Sequence, residues 1–208
     1  DHHYSAAMDP ATRSNAWTLV VIEQAADKRR VALARQWLPR PGQPLDAGSV
    51  MTAIAGLLRP YRVTRVATDQ WAADALLSLG RDRGLYVDRV TYSSDEEVQM
   101  WGSILEAMLG GRMELAPVRD LLDDLRKVTR RITGQKVRIV LPQQANGRHC
   151  DFAPAVLRAW ATPLPKPTAK AVAVGSPEWR ALEEAREDEW IARRVGLERR
   201  WEARRKYL

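Results

Sequence analysis

Tyr4-Ser-Ala-Ala-Met-Asp9, the turn Pro10-Ala-Thr-Arg-Ser-Asn15 and the run Trp17-Thr-Leu-Val-Val-Ile22 decide how this chain is read. The first stretch is short, largely apolar and closed by an acid before a proline. The last is rich in β-branched residues. Short apolar runs bounded by turn residues read as strands. A second turn, Ala26-Asp-Lys-Arg29, leads to Val31-Ala-Leu-Ala-Arg-Gln-Trp37, a third strand. Strands joined by such short turns pair with their neighbours, giving an antiparallel meander. Asp9 stands at the C-terminal end of the first strand.

Outward from this meander the pattern changes. Pro39-Arg-Pro-Gly-Gln-Pro44 is a loop, and Asp46 is placed to cap a helix through Val50 to Leu58 that Pro60 stops. Strand 63–68 ends at a second acid, Asp69. Helix 71–82 and the strand Leu85-Tyr-Val-Asp-Arg-Val90 follow, and this strand–helix–strand order predicts parallel pairing with right-handed crossovers. A helix over 94–109 opens at Ser94. Pro117 starts another, running through Leu121 and Leu122 to Arg131. Val137-Arg-Ile-Val-Leu141 is a late strand, and a helix from Asp151 to Trp160 closes the series. The fold class is α/β, with a mixed sheet of antiparallel meander and parallel strands flanked by helices.

Residues 1–161 read as one domain. Over 162–177, Pro163, Pro165, Pro167 and Pro177 mark a stiff, extended linker. A charged, helix-prone tail spans 178–208. There Trp179, Trp190 and Trp201 recur at a spacing of about three helical turns, which places the rings on one face.

The formal net charge of +7 favours an acidic partner, nucleic acid foremost, with membrane surfaces and other polyanions left open. Cys150 is the single cysteine, so no intramolecular disulfide can form and a reducing, intracellular setting is expected. No secretory core and no bilayer-length apolar run occurs, so the chain reads as not secreted. Asp1-His2-His3 reads as a tag remnant or a disordered end.

Asp9, Asp69 and Asp151 all lie at element ends. Carboxylates so placed can converge on one edge of a sheet, where they repel each other unless cations sit between them. Such a cluster suits hard divalent metals. Singly, each has a plainer role: Asp9 starts a turn, Asp69 caps helix 71–82, and Asp151 is an N-cap. Asp88, on the fifth strand, is the substitute should one of the three fail.

The element order resembles a ribonuclease H-like domain, in which the first strand lies beside the fourth. More closely, residues 4–161 resemble the nuclease domain of the large terminase subunit of tailed bacteriophages. Met8-Asp9 before the turn and Ala16-Trp-Thr-Leu-Val-Val21 is similar to that family's first acidic motif, and Val66-Ala-Thr-Asp69 to its second. Gly147-Arg-His-Cys-Asp-Phe-Ala-Pro-Ala155 is similar to its His-Asp-Asp stretch, with Cys150 where the family often has a further acid.

The resemblance implies a metal-dependent endonuclease that cuts concatemeric double-stranded DNA during genome packaging. It implies two Mg2+ or Mn2+ ions, with Asp9 bridging, Asp69 holding one and Asp151 the other, and His149 as an auxiliary proton carrier or phosphate contact. It also implies an ATPase motor domain in the same full-length chain, because no Gly-x-x-x-x-Gly-Lys-Ser/Thr stretch occurs here. The tail would engage the portal protein, and the work would be done in the cytoplasm of an infected bacterial host. Arg13, Arg126, Arg130 and Lys136 are the candidate DNA contacts, with Arg29 and Arg30 on the meander turns also available. No base-reading element is evident, so binding is expected to be sequence-independent and salt-sensitive. Two alternatives stand beside this reading: another ribonuclease H-like nuclease such as a junction resolvase or transposase core, and a DNA- or portal-binding module with a vestigial acidic site.

Overall fold

A computed structural model describes residues 2–70, 74–134, 136–142 and 149–163, together with 177, 180 and 184. Strands β1 (His2–Asp9), β2 (Trp17–Ala25) and β3 (Lys28–Trp37) form the expected antiparallel meander. β4 (Arg65–Asp69) lies parallel beside β1, and β5 (Tyr86–Val90) parallel beside β4. The short β6 (Met113–Glu114) lies parallel on the β3 edge. The six-stranded order is β5-β4-β1-β2-β3-β6, so the first strand does sit beside the fourth.

Strand periodicity sorts the core onto two faces. Ala6 and Met8 of β1, Leu19 and Val21 of β2 and Val66 of β4 pack with Met51, Ile54 and Leu58 of α1 (Ala47–Leu58) and Leu76 of α2 (Asp74–Arg81). Ala7, Val20, Ile22 and Ala67 pack on the other face. Their partners are Trp101 and Ile104 of α3 (Ser94–Leu109), Leu121 of α4 (Arg119–Lys127) and Phe152 and Val156 of α5 (Phe152–Ala161). Layers on both faces explain why β2 is apolar almost throughout rather than alternating.

Polar ties fix α5 on the sheet. Ser5 Oγ donates to the Ala159 carbonyl and Thr18 Oγ1 to the Asp151 carbonyl, both at 2.8 Å. Arg29 Nη1 donates to the Trp160 carbonyl at 2.8 Å, and its guanidinium lies 4.1 Å from the Trp160 ring centroid. Arg29 therefore clamps the C-terminal end of α5, and Arg30 is ion-paired to Glu23. Both turn arginines are thus engaged within the chain.

Asp46 caps α1 as expected, accepting from Ser49 N at 2.7 Å. The cap of α3 is Ser93 rather than Ser94, closed as a capping box with Glu96. The helix expected to reach Arg131 stops at Lys127. Thr129–Thr133 is instead β7, paired with β8 (Lys136–Val140) in a separate hairpin. β-Branched Thr129, Ile132 and Thr133 favour extension, and Gly134 at φ 61° supplies the left-handed turn. The late strand thus joins this hairpin and not the main sheet.

His2 and His3 belong to β1, and His2 Nδ1 lies 2.6 Å from Glu23 Oε1. Glu23 also accepts from Tyr4 Oη at 3.0 Å and from Arg30 Nε at 2.8 Å. Burial works against its charge, yet the hydrogen bonds from Arg30, Tyr4 and His2 outweigh burial and hold its carboxyl below the ordinary 4.5. A carboxylate depressed in the folded state contributes stability that is present above its unfolded value and lost as pH falls through the folded one. Glu23→Gln is expected to cost about 1–2 kcal/mol at neutral pH in urea denaturation. The gap to the parent chain should close as the pH drops below 4.5.

The chain divides into two units, Asp1–Leu164 and Pro165–Leu208. The expected 162–177 linker and the tryptophan stripe of the tail lie almost wholly outside the described residues, of which Pro177, Arg180 and Glu184 are helical. Among the described residues no helix is long and apolar enough to cross a membrane.

Candidate active site

β1 and β4 run parallel with Ala7 opposite Ala67, so Asp9 and Asp69 stand level at adjacent strand ends. Strand alternation puts both on the face of Ala7 and Ala67, toward α5. Asp9 Oδ1 accepts from Arg158 Nη1 of α5 at 2.8 Å. Burial pushes the Asp9 carboxyl up, Arg158 pulls it down, and the neighbouring Asp69 charge adds to the rise. Asp69 Oδ1 is buried and, among the described residues, has no hydrogen-bond partner.

A cleft of about 260 Å³ opens beside this pair, lined by Asp69, Tyr92, Glu97, Trp101, Ile139 and Arg158 among others. Glu97, in the first turn of α3, brings a further carboxylate. Burial raises its pKa and Arg158 opposes the rise.

Asp151 reaches the same end of the sheet, one strand over. Its Oδ2 accepts from Ala16 N at 3.0 Å, just before β2. It occupies the N-cap position of α5 but makes no side-chain cap. The first amide of the helix, Phe152 N, donates instead to the fully buried Asp124 of α4 at 2.9 Å. His149 is exposed, and Cys150 is buried with its thiol donating to the Pro142 carbonyl at 3.2 Å. Asp88 lies away from this edge, held by Arg65 at 2.8 and 2.9 Å. Arg13 is exposed in the β1–β2 turn. Arg126 pairs with Asp123 on α4, while Arg130 and Lys136 are exposed on the hairpin.

Arg158, Glu97 and Asp124 were not singled out in the sequence. An arginine in a last helical turn reads as a complement to the helix dipole. Its spacing from Asp151, close to two turns, was the available signal that both share one face. Asp124, three positions beyond Leu121, shares that leucine's buried face.

Among the described residues no three of His, Cys, Asp and Glu form a group able to hold a metal ion. Asp9 and Asp69 alone nevertheless suit a hard cation. They are two adjacent oxygen donors of like charge, and one of their oxygens is buried without a donor.

No family profile matches the chain, and no curated protein matches it by sequence. Solved structures do match. The HK97 bacteriophage large terminase superposes with a TM-score of 0.64 at 16% identity, over 77% of this chain and 39% of that one. The large terminase nuclease from thermophilic phage G20c gives 0.60 at 17% identity, over 78% of this chain and 83% of that one. This chain has the large terminase nuclease fold. The same phage nuclease was also solved with bound magnesium, matching at TM-score 0.61 and 18% identity over 78% and 82%, and with cobalt and zinc. The chain spans well under half of the HK97 large terminase that it matches.

Proposed function

We propose that this chain is the nuclease domain of a phage large terminase and hydrolyses double-stranded DNA at the Asp9–Asp69 edge. The reading is supported above all by the position of those two carboxylates, level on adjacent parallel strands and facing α5 within this fold. Asp9 and Asp69 would hold the divalent ion, Mg2+ or Mn2+, and when bound it would supply Lewis acidity for attack on a phosphodiester. Asp151 holds the start of β2 through Ala16 N, which keeps the β1–β2 turn and Asp9 in place. The resemblance assigns a second ion to Asp151, whose Oδ2 accepts from Ala16 N. His149, exposed beside Asp151, is the auxiliary candidate.

The β7–β8 hairpin supports a DNA substrate. Arg131 lies directly opposite Arg138, and Arg130 and Lys136 are exposed on the same hairpin. Like charges opposed across a strand pair destabilise it unless anions intervene. Ile139 of the hairpin also lines the cleft that holds Asp69, so phosphates gathered here would border the acids. Arg130→Ala with Lys136→Ala is expected to lower the slope of log affinity against log salt by about 2, roughly one per phosphate contact. Fluorescence anisotropy with a duplex across a salt series reads this slope. Arg13 and Arg126 complete the proposed contacts.

The proposed partners are the ATPase motor domain of the full-length chain and, through the tail, the portal protein, in the cytoplasm of the infected bacterium. Supercoiled plasmid incubated at low salt with this chain and Mn2+ or Mg2+ tests the reading. Metal-dependent nicking is expected. Its absence with both metals would leave only a binding module with a vestigial site, and cleavage confined to branched DNA would favour a resolvase-like enzyme.

A further inference from the structure

Arg158 is the one cationic side chain in the acid cleft among the described residues, and it is already spent on Asp9. The pair is well shielded, with side chains 15% and 23% exposed and Nη1 2.8 Å from Oδ1. The two strand-end acids therefore differ. Asp9 has its oxygen answered by a guanidinium fixed to α5, which is tied to β1 and β2 through Ser5 and Thr18. Asp69 has a buried oxygen with no donor among the described residues.

Asp69 and Glu97 line the cleft and Asp9 adjoins it through Arg158; when ionised, these carboxylates outnumber the one guanidinium, and a single divalent ion offsets the surplus. A second divalent ion would have to approach Asp9 against a fixed positive charge in a poorly solvated place, where charge repulsion is strongest.

We propose that Arg158 is a built-in cation standing in for one ion on the Asp9 side, so that the Asp9–Asp69 pair takes a single divalent ion, chiefly through Asp69. The proposal rests on the Asp9–Asp69 metal-site reading above. Arg158 is then a positioning residue: it holds Asp9 in place and sets how many ions the acids accept.

Mn2+ titrations of the full 208-residue chain, followed by the electron paramagnetic resonance of free Mn2+, test this without reference to cleavage. The expected stoichiometry is one per chain for the parent and for Arg158→Lys, which keeps the charge. Arg158→Gln should admit a second Mn2+, and Asp69→Asn should bind at least about tenfold more weakly, a loss of some 1.4 kcal/mol. Two ions on the parent chain, or one on folded Arg158→Gln, overturns the role of Arg158 while leaving the metal site standing. Unchanged binding by Asp69→Asn, or no binding by the parent, sinks the metal-site reading itself. If Arg158→Gln does not fold, the parent and Arg158→Lys stoichiometries decide: one each supports the proposal, two on either overturns it.

Discussion

Asp69→Ala is expected to slow metal-dependent plasmid nicking by at least about a thousandfold, while leaving the melting temperature unchanged or higher. The kinetic part follows from charge. A divalent ion contributes several kcal/mol to stabilising phosphodiester hydrolysis, and about 4 kcal/mol is roughly a thousandfold in rate. Asp9 could not carry the same test cleanly, because removing it strands the Arg158 guanidinium in a shielded place. Asp69 differs. Its Oδ1 is a buried acceptor without a donor among the described residues, a feature that costs stability in the metal-free fold. Alanine removes that cost, so function and stability should move in opposite directions. Nicking by Asp69→Ala at the parental rate would refute the assignment. A large fall in melting temperature would show instead that Asp69 is a structural acid.

Phe152→Ala is expected to destabilise the fold by about 4 kcal/mol, and so to lower the melting temperature by roughly 8–16 °C. Phe152 is fully buried at the first position of α5, in the cluster that includes Val20, Leu121 and Val156. Its neighbours come from β2, α4 and α5, elements whose backbones are fixed by the sheet and by the Asp124 contact, so the cavity cannot close cheaply. The helix carrying Arg158 and Asp151 is the part loosened. Urea denaturation gives the free energy directly, and a loss below 1 kcal/mol would mean that the layer repacks.

The central architecture was legible because its signals are local. Turn residues between β-prone runs gave the meander, and acids closing two runs gave the Asp9–Asp69 edge once β1 and β4 were placed side by side. The hairpin was hidden because Arg126 to Arg131 also reads as a basic helix end, against which only β-branched Thr129, Ile132 and Thr133 and the turn residue Gly134 argue. The fate of Asp151 was not legible either. N-capping and metal binding both follow from its position at the start of a helix, whereas its bond to Ala16 N depends on a contact across 135 positions of chain. Arg158 was missed for the same reason: its partner Asp9 lies 149 positions away.

That last separation bears on how the domain is made. Within this domain β1 and its hairpin partners are made before the other elements, and β4 can join them long before α5 exists. Until the final helix arrives, the two strand-end acids lie together with neither the Arg158 charge nor the apolar cover of Phe152 and Val156. One face of the sheet then lacks its α5 cover, and a chain stopped short of residue 152 would leave Ala7, Val20, Ile22 and Ala67 only partly covered, by α3 and α4. An incomplete domain is thus a target for chaperones and proteases. The core of the domain closes only once α5 has been translated.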